Sequence, residues 1–183
     1  MPGARCYDRG MAARTQVSPE EYAGTAYEGP DRELVRGELT PRSMPDLVHG
    51  TVQARLASVV LSLTERHRLF AATEVRLQLA GDLFRVPDIS VFHGALPAEL
   101  VPTHPPYGAI EIVSRDDRYT EVLQRLDEYH RWGVPRVWVV DPGIEKLSVY
   151  DDGGLRTVDR LPFPGTDRAI TIGDLVEGLP HPA

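Results

Sequence analysis

Cysteine is almost absent from this 183-residue sequence: Cys6 stands alone. One thiol can build no disulfide framework, no CxxC pair and no Cys-based zinc site, and a reducing cytoplasm is the simplest compartment for such a chain. Lysine is equally scarce. Lys146 is the one lysine beside nineteen arginines, so any chemistry that needs an amine has a single candidate. Long apolar runs are missing as well. No stretch approaches the about 18 residues of a membrane-span candidate, and no apolar run behind a basic start marks a secretory signal. There is no excess of positive charge either. A formal net charge of −7 excludes an overall basic coat for nucleic acid and leaves only a local arginine cluster. What remains is enough for a core without staples, since a chain this long folds as one domain and hides roughly two-thirds of its unfolded surface.

Residues 1–17 carry no periodicity and are expected to form a loose tail, with 18–183 a single domain. Ser18-Pro19 is a helix-start signal, and Glu33 to Leu39 reads as strand, glycine turn, strand. Val48, Val52, Leu56, Val59 and Leu63 recur at spacings of three and four, predicting a helix from Pro45 to about His67. Strand-like runs Phe70–Leu79 and Leu83–Phe92 flank a turn at 80–82, which suggests one hairpin. A proline-rich loop over 94–107 leads to Ala109-Ile110-Glu111-Ile112-Val113. A second helix, from about Asp116 to Trp132, stops at Gly133. The apolar run 134–140 reads as a strand buried on both faces at mid-sheet. A C-terminal hairpin over 145–161 and a short helix near Ile172–Glu177 complete the chain. The order predicts a mixed α/β fold with a central sheet flanked by few helices.

Two acids stand out against this pattern. Asp88 follows Arg85-Val86-Pro87 and opens an apolar strand, and Glu111 interrupts another. Carboxylates are disfavoured in strands and are seldom buried unless paired or metal-bound. Alternation would also let either acid turn to solvent. If both face one cleft they make a hard-oxygen site of the kind magnesium takes with waters and phosphate oxygens, and the backbone carbonyl of Ile112 would add a ligand. On the second helix Val122, Leu126 and Tyr129 form the apolar stripe, and Arg125 lies to its side. It is either a snorkelling surface cation or a cation reaching Glu111 to hold a phosphate. His49 leans to the inner face of the first helix, as a core residue or as part of the site. Glu33, Glu38 and Glu74 read as ordinary strand-surface acids.

The ordered set is more specific than its parts. Glu33-Leu34-Val35-Arg36-Gly37-Glu38-Leu39, His49-Gly50, Arg85-Val86-Pro87-Asp88, Glu111-Ile112-Val113-Ser114, Asp117 to Val122, Glu128-Tyr129, Gly133-Val134-Pro135 and Val137 to Pro142 together resemble the Uma-two restriction endonuclease family of the PD-(D/E)XK nuclease superfamily. The resemblance spans about residues 18–180. It implies a restriction-endonuclease-like core, a Mg2+ or Mn2+ cofactor held by Asp88 and Glu111, and hydrolysis of DNA. It also implies a homodimer. Two departures stand out. Val113 occupies the superfamily's usual lysine position, and Arg125 occupies the helix position to which the family moves that lysine. Ser114-Arg115 also replaces the usual Ser-Pro. An arginine keeps the charge but cannot lose its proton, so it cannot be a general base.

Three readings stand on the sequence. The first is a metal-dependent endonuclease in which Asp88 and Glu111 hold the ion, Arg125 steadies the phosphate, His49 shapes the site, and Arg85, Arg115 and Arg118 meet nucleic acid. The second is a catalytically lapsed relative serving as a binding or regulatory module. The third is a metal-free interaction domain whose acids face solvent.

Overall fold

The structure, a computed structural model, describes residues 17–26, 32–152, 154–163 and 165–180. The expected loose tail lies outside them except for Val17. That residue is buried, and its N–H donates to the Gly37 carbonyl at 3.3 Å.

The chain opens with α1 (Pro19–Gly24), capped by the Ser18 hydroxyl on the Glu21 N–H. The hairpin β1 (Arg32–Val35) and β2 (Glu38–Pro41) follows. Helix α2 (Leu47–Ser62) is capped by Asp46, whose carboxylate accepts from the His49 N–H. It breaks at Leu63 before the single turn α3 (Thr64–His67), so the one helix expected to His67 is in fact two. Val52, Leu56 and Val60 of α2 are fully buried, and Val48 and Val59 pack at the edge of the same core.

The two strand-like runs do not make one continuous hairpin. The first divides into β3 (Leu69–Thr73) and β4 (Leu77–Ala80). The second divides into β5 (Leu83–Arg85) and β6 (Ile89–His93). The inner halves, β4 and β5, join β1 and β2 in a four-stranded antiparallel sheet ordered β2-β1-β5-β4. The outer halves, β3 and β6, pair with each other in a larger sheet. The breaks have local causes. Glu74 takes a left-handed backbone at φ 56°, which is uncommon for a side-chain-bearing residue, and Pro87 has no N–H to give a ladder.

The larger sheet is completed by β7 (Gly108–Ile112), β8 (Arg136–Asp141), β9 (Lys146–Asp151) and β10 (Gly154–Val158). Its order is β10-β9-β8-β7-β6-β3, with β7 and β8 parallel and every other pair antiparallel. A parallel pair needs a crossover, and α4 (Tyr119–Trp132) supplies it. Gly133 ends α4 at φ 100°, where glycine carries no steric penalty. As the apolar run suggested, β8 lies inside the sheet, with Trp138 fully buried. A small ladder of β11 (Leu161–Pro162) and β12 (Ala169–Ile170) precedes α5 (Ile172–Val176), which opens with a Thr171–Asp174 capping box.

Strand alternation assigns the faces. Ile110, Ile112, Trp138 and Val140 face α2 and α5 in one core. Ala109, Val137 and Val139 face α4 through Val122, Leu126 and Tyr129 in the other. Glu111 therefore points to the α4 side, but α4 roofs that side and keeps it from solvent. Among the described residues no helix is long and apolar enough to cross a membrane.

Candidate active site

Between the two sheets lies a cleft of about 550 Å³ whose walls include Asp88, Glu111, Ile112, Arg125, His49, Arg42, Glu74, Glu33 and Arg85. The wall residues arrive from several elements, Glu111 and Ile112 together from β7. Asp88 stands where the chain leaves β5 and enters β6. Its Oδ2 accepts from the Ile112 N–H at 2.6 Å and lies 3.3 Å from His49 Nε2. Its Oδ1 accepts from Arg42 Nη2 at 3.0 Å. The acid is 3% exposed, and these partners are what make its burial tolerable.

Glu111, 4% exposed, meets α4. Tyr129 donates its hydroxyl to Oε1 at 2.7 Å, and Arg125 donates Nε to Oε2 at 3.2 Å. Arg125 and Tyr129 are four residues apart, hence neighbours on one helix face. Burial pushes the Glu111 carboxyl up to about 7, against the pull of Arg125; the charges of Asp88 and Glu33 add to the rise. Burial beside that acid also raises Tyr129 well above the ordinary phenol range. At His49 burial works to lower the imidazole, but the hydrogen bond and charge of Asp88 outweigh it and the net shift is upward. Arg125 Nη2 also lies 3.8 Å from Asp117 Oδ1. Asp117 in turn accepts from the Ser114 N–H at 2.8 Å, which starts α4 later than the sequence suggested.

The structure thus brings Asp88, Glu111, Arg125, His49 and Ile112 to one cleft. The Ile112 carbonyl faces the Asp88 side. Val113 donates its N–H to Val140 on β8, so the backbone groups of Ile112, one residue earlier, address the opposite edge. Arg85 is the correction. It is 5% exposed, with Nη1 on Glu33 Oε2 at 2.5 Å and Nε on Glu128 Oε2 at 2.6 Å. Its charge is matched by two carboxylates, so it braces the cleft floor and does not reach out to nucleic acid. Glu33, expected on a strand surface, is the buried partner of that brace and also accepts from the Val86 N–H at 2.9 Å. Arg115 and Arg118 are exposed. Arg118 lies 3.6 Å from Glu121, and Arg115 lines an adjoining recess of about 450 Å³ that shares His49, Ser114 and Asp117 with the cleft.

Sequence reasoning missed Arg42 and Gln53, and it read Glu74 as an ordinary strand-surface acid, where the structure places it on the cleft wall. Arg42 bridges Glu74 and Asp88. Gln53 on α2 donates Nε2 to Glu74 Oε1 at 2.7 Å and to the Asp88 carbonyl at 2.9 Å. No local pattern announces Arg42, because its partner Asp88 is 46 residues away.

The donor set suits a hard divalent ion in kind: two carboxylates and a strand carbonyl on one cleft, with waters and phosphate oxygens to complete the shell. Among the described residues no three His, Cys, Asp or Glu side chains gather to hold an ion unaided, so those added oxygens are required. Each acid already carries a cationic partner, Arg42 on Asp88 and Arg125 on Glu111, which an incoming ion must face.

Comparison with known proteins follows the same lines. The family model described as "Uma2: Putative restriction endonuclease" matches residues 19–179. A solved structure of a "putative nuclease belonging to DUF820 from Anabaena variabilis ATCC 29413" is similar, with a TM-score of 0.76 and 26% sequence identity over 87% of this chain and 97% of that one. Its fold is similar to the mixed α/β arrangement of a six-stranded sheet flanked by helices. No curated protein matches the chain.

Proposed function

Since the chain belongs to the Uma2 family over residues 19–179, we propose that its cleft is a divalent-metal site for hydrolysing DNA phosphodiester bonds, carried by one nuclease-like domain over 18–183 acting in the cytoplasm. The observation that carries this reading is the convergence of Asp88, on the connection between β5 and β6, and Glu111 on β7, linked through the Ile112 N–H on Asp88 Oδ2 at 2.6 Å. Asp88, Glu111 and the Ile112 carbonyl would hold Mg2+ or Mn2+. A bound ion of this class lowers the pKa of an attacking water and neutralises phosphate charge.

The protein's own groups do the rest. Arg125, anchored on Glu111 through Nε, has its remaining guanidinium N–H groups to steady a phosphate oxygen. In the reaction water oxygen forms a bond to phosphorus as the bond from phosphorus to the leaving sugar oxygen breaks, and the water proton goes to a base. Arg125 cannot take that proton. The ion alone, or a carboxylate such as Glu111, would have to activate that water. His49 fixes Asp88 from the α2 side. Arg115 and Arg118 at the rim supply positive charge for the DNA backbone.

The test is Mn2+ titration by calorimetry together with plasmid nicking for wild type, Asp88→Asn and Glu111→Gln. The expected result is saturable binding and nicking in wild type, with both lost in Asp88→Asn. Mn2+ binding that survives unchanged in Asp88→Asn would sink the site as drawn.

A second reading has one observation in its favour: an arginine stands at the family's lysine position and is already ion-paired to Glu111. The site would then bind metal and DNA without cutting. Arg125→Lys separates the two. Cleavage that appears only in the variant identifies a lapsed nuclease; cleavage by wild type identifies a working one.

A further inference from the structure

The part of the cleft that neither the acids nor α4 account for is Arg42. It lies just past the end of β2, in a segment, 42–46, with no helix or strand. Its guanidinium reaches in two directions, Nη2 to Asp88 Oδ1 at 3.0 Å and Nη1 to Glu74 Oε2. Asp88 Oδ2 is engaged from the far side by Ile112 and His49. Oδ1 is therefore the oxygen left for a ligand, and Arg42 is on it. A magnesium-sized ion needs contact at about 2.0–2.1 Å with few ligands it will yield, and a guanidinium in the same place repels it.

We propose that Arg42 is a built-in counter-cation that competes with the divalent ion for Asp88 and gives up Oδ1, keeping Glu74, when the ion binds. This rests on the metal reading above. The anchor is already built. Glu74 is 38% exposed at its side chain, lines the cleft, and is held by Gln53 at 2.7 Å. Arg42 therefore stays paired when it moves, and Asp88 does not remain a buried uncompensated charge in either state. The arrangement keeps the metal-free cleft neutral enough to fold and makes Arg42 the residue that sets metal affinity.

The test is Mn2+ calorimetry and thermal melting on wild type, Arg42→Gln, Arg42→Lys and Asp88→Asn. Loss of the competitor should tighten Mn2+ binding about tenfold or more in Arg42→Gln, the scale of one charge-assisted hydrogen bond. It should also enlarge the metal-induced rise in melting temperature. Arg42→Lys should fall between, since an ammonium keeps the charge but lacks the fork that spans two carboxylates; it carries the comparison if Arg42→Gln does not fold. Equal or weaker Mn2+ affinity in the Arg42 variants, with binding intact in wild type and absent in Asp88→Asn, overturns the role of Arg42 alone. No saturable binding in any chain overturns it together with the metal reading.

Discussion

An acid at a strand end can turn to water, but Glu111 sits inside β7 under α4 and has no such escape. Its burial has a measurable consequence. The folded chain holds the Glu111 proton up to about pH 7, while the unfolded chain holds it only to about 4.5. The stability that comes from keeping Glu111 protonated is therefore fully present below about pH 4.5 and is lost as pH rises through about 7. Melting temperature of the metal-free protein should fall between pH 5 and 8, and Glu111→Gln should flatten that fall. Parallel curves for the two proteins would show that Glu111 ionises freely. His49 acts in the same direction, since its raised value gives stability present below pH 6.5 and lost above its folded pKa, so some slope should remain in the variant. Tyr129 is the other half of the Glu111 environment. Tyr129→Phe removes the hydroxyl that donates to Oε1 and should cost about 1–3 kcal/mol, because a buried acceptor loses its donor. Urea denaturation would read it, and an unchanged midpoint would mean water replaces the hydroxyl.

The elements show where sequence was informative and where it was not. The helix spacing placed Val122, Leu126 and Tyr129 together, the glycine stop fell at Gly133, and the apolar run of β8 identified a central strand. Each of these is local chemistry. The division of the first strand-like run was hidden, because nothing periodic changes at Glu74, whereas Pro87 was a local sign of the break in the second. Only tertiary pairing shows that β4 and β5 leave the larger sheet. Asp88 and Glu111 were visible as misfits in apolar segments. Arg42 and the burial of Glu33 were not, because their partners come from 46 and 52 residues away. One close approach within β7 can be tested directly. A Cβ on Gly108 would lie 2.9 Å from Trp138 Cζ3 and 3.4 Å from the Arg136 carbonyl. Both neighbours are fixed, one a fully buried ring and the other backbone of the paired strand. Gly108→Ala should destabilise by about 1–3 kcal/mol, the cost of overpacking, read as a lower thermal midpoint.

At the scale of the molecule the net charge of −7 must be reconciled with a polyanionic substrate. The basic groups that matter are few and local, so DNA affinity should depend weakly on salt compared with a basic-coated binder. Replacing both Arg115 and Arg118 with alanine should lower the log–log salt slope by about 2, one per phosphate contact, across DNA sequences alike. An unchanged slope would place the DNA on another surface.

The polypeptide leaves the four-stranded sheet for α2 at 42–46 and passes between that sheet and the six-stranded one at 74–76 and at 86–88, and Arg42, Glu74 and Asp88 each stand on one of those segments. A single guanidinium thus stitches all three threads of the seam. Drawing it off Asp88 loosens one stitch, so hydrogen exchange at the amides of Leu77–Phe84, in the strands that lead from one of these segments to the next, becomes a gauge of what occupies the cleft.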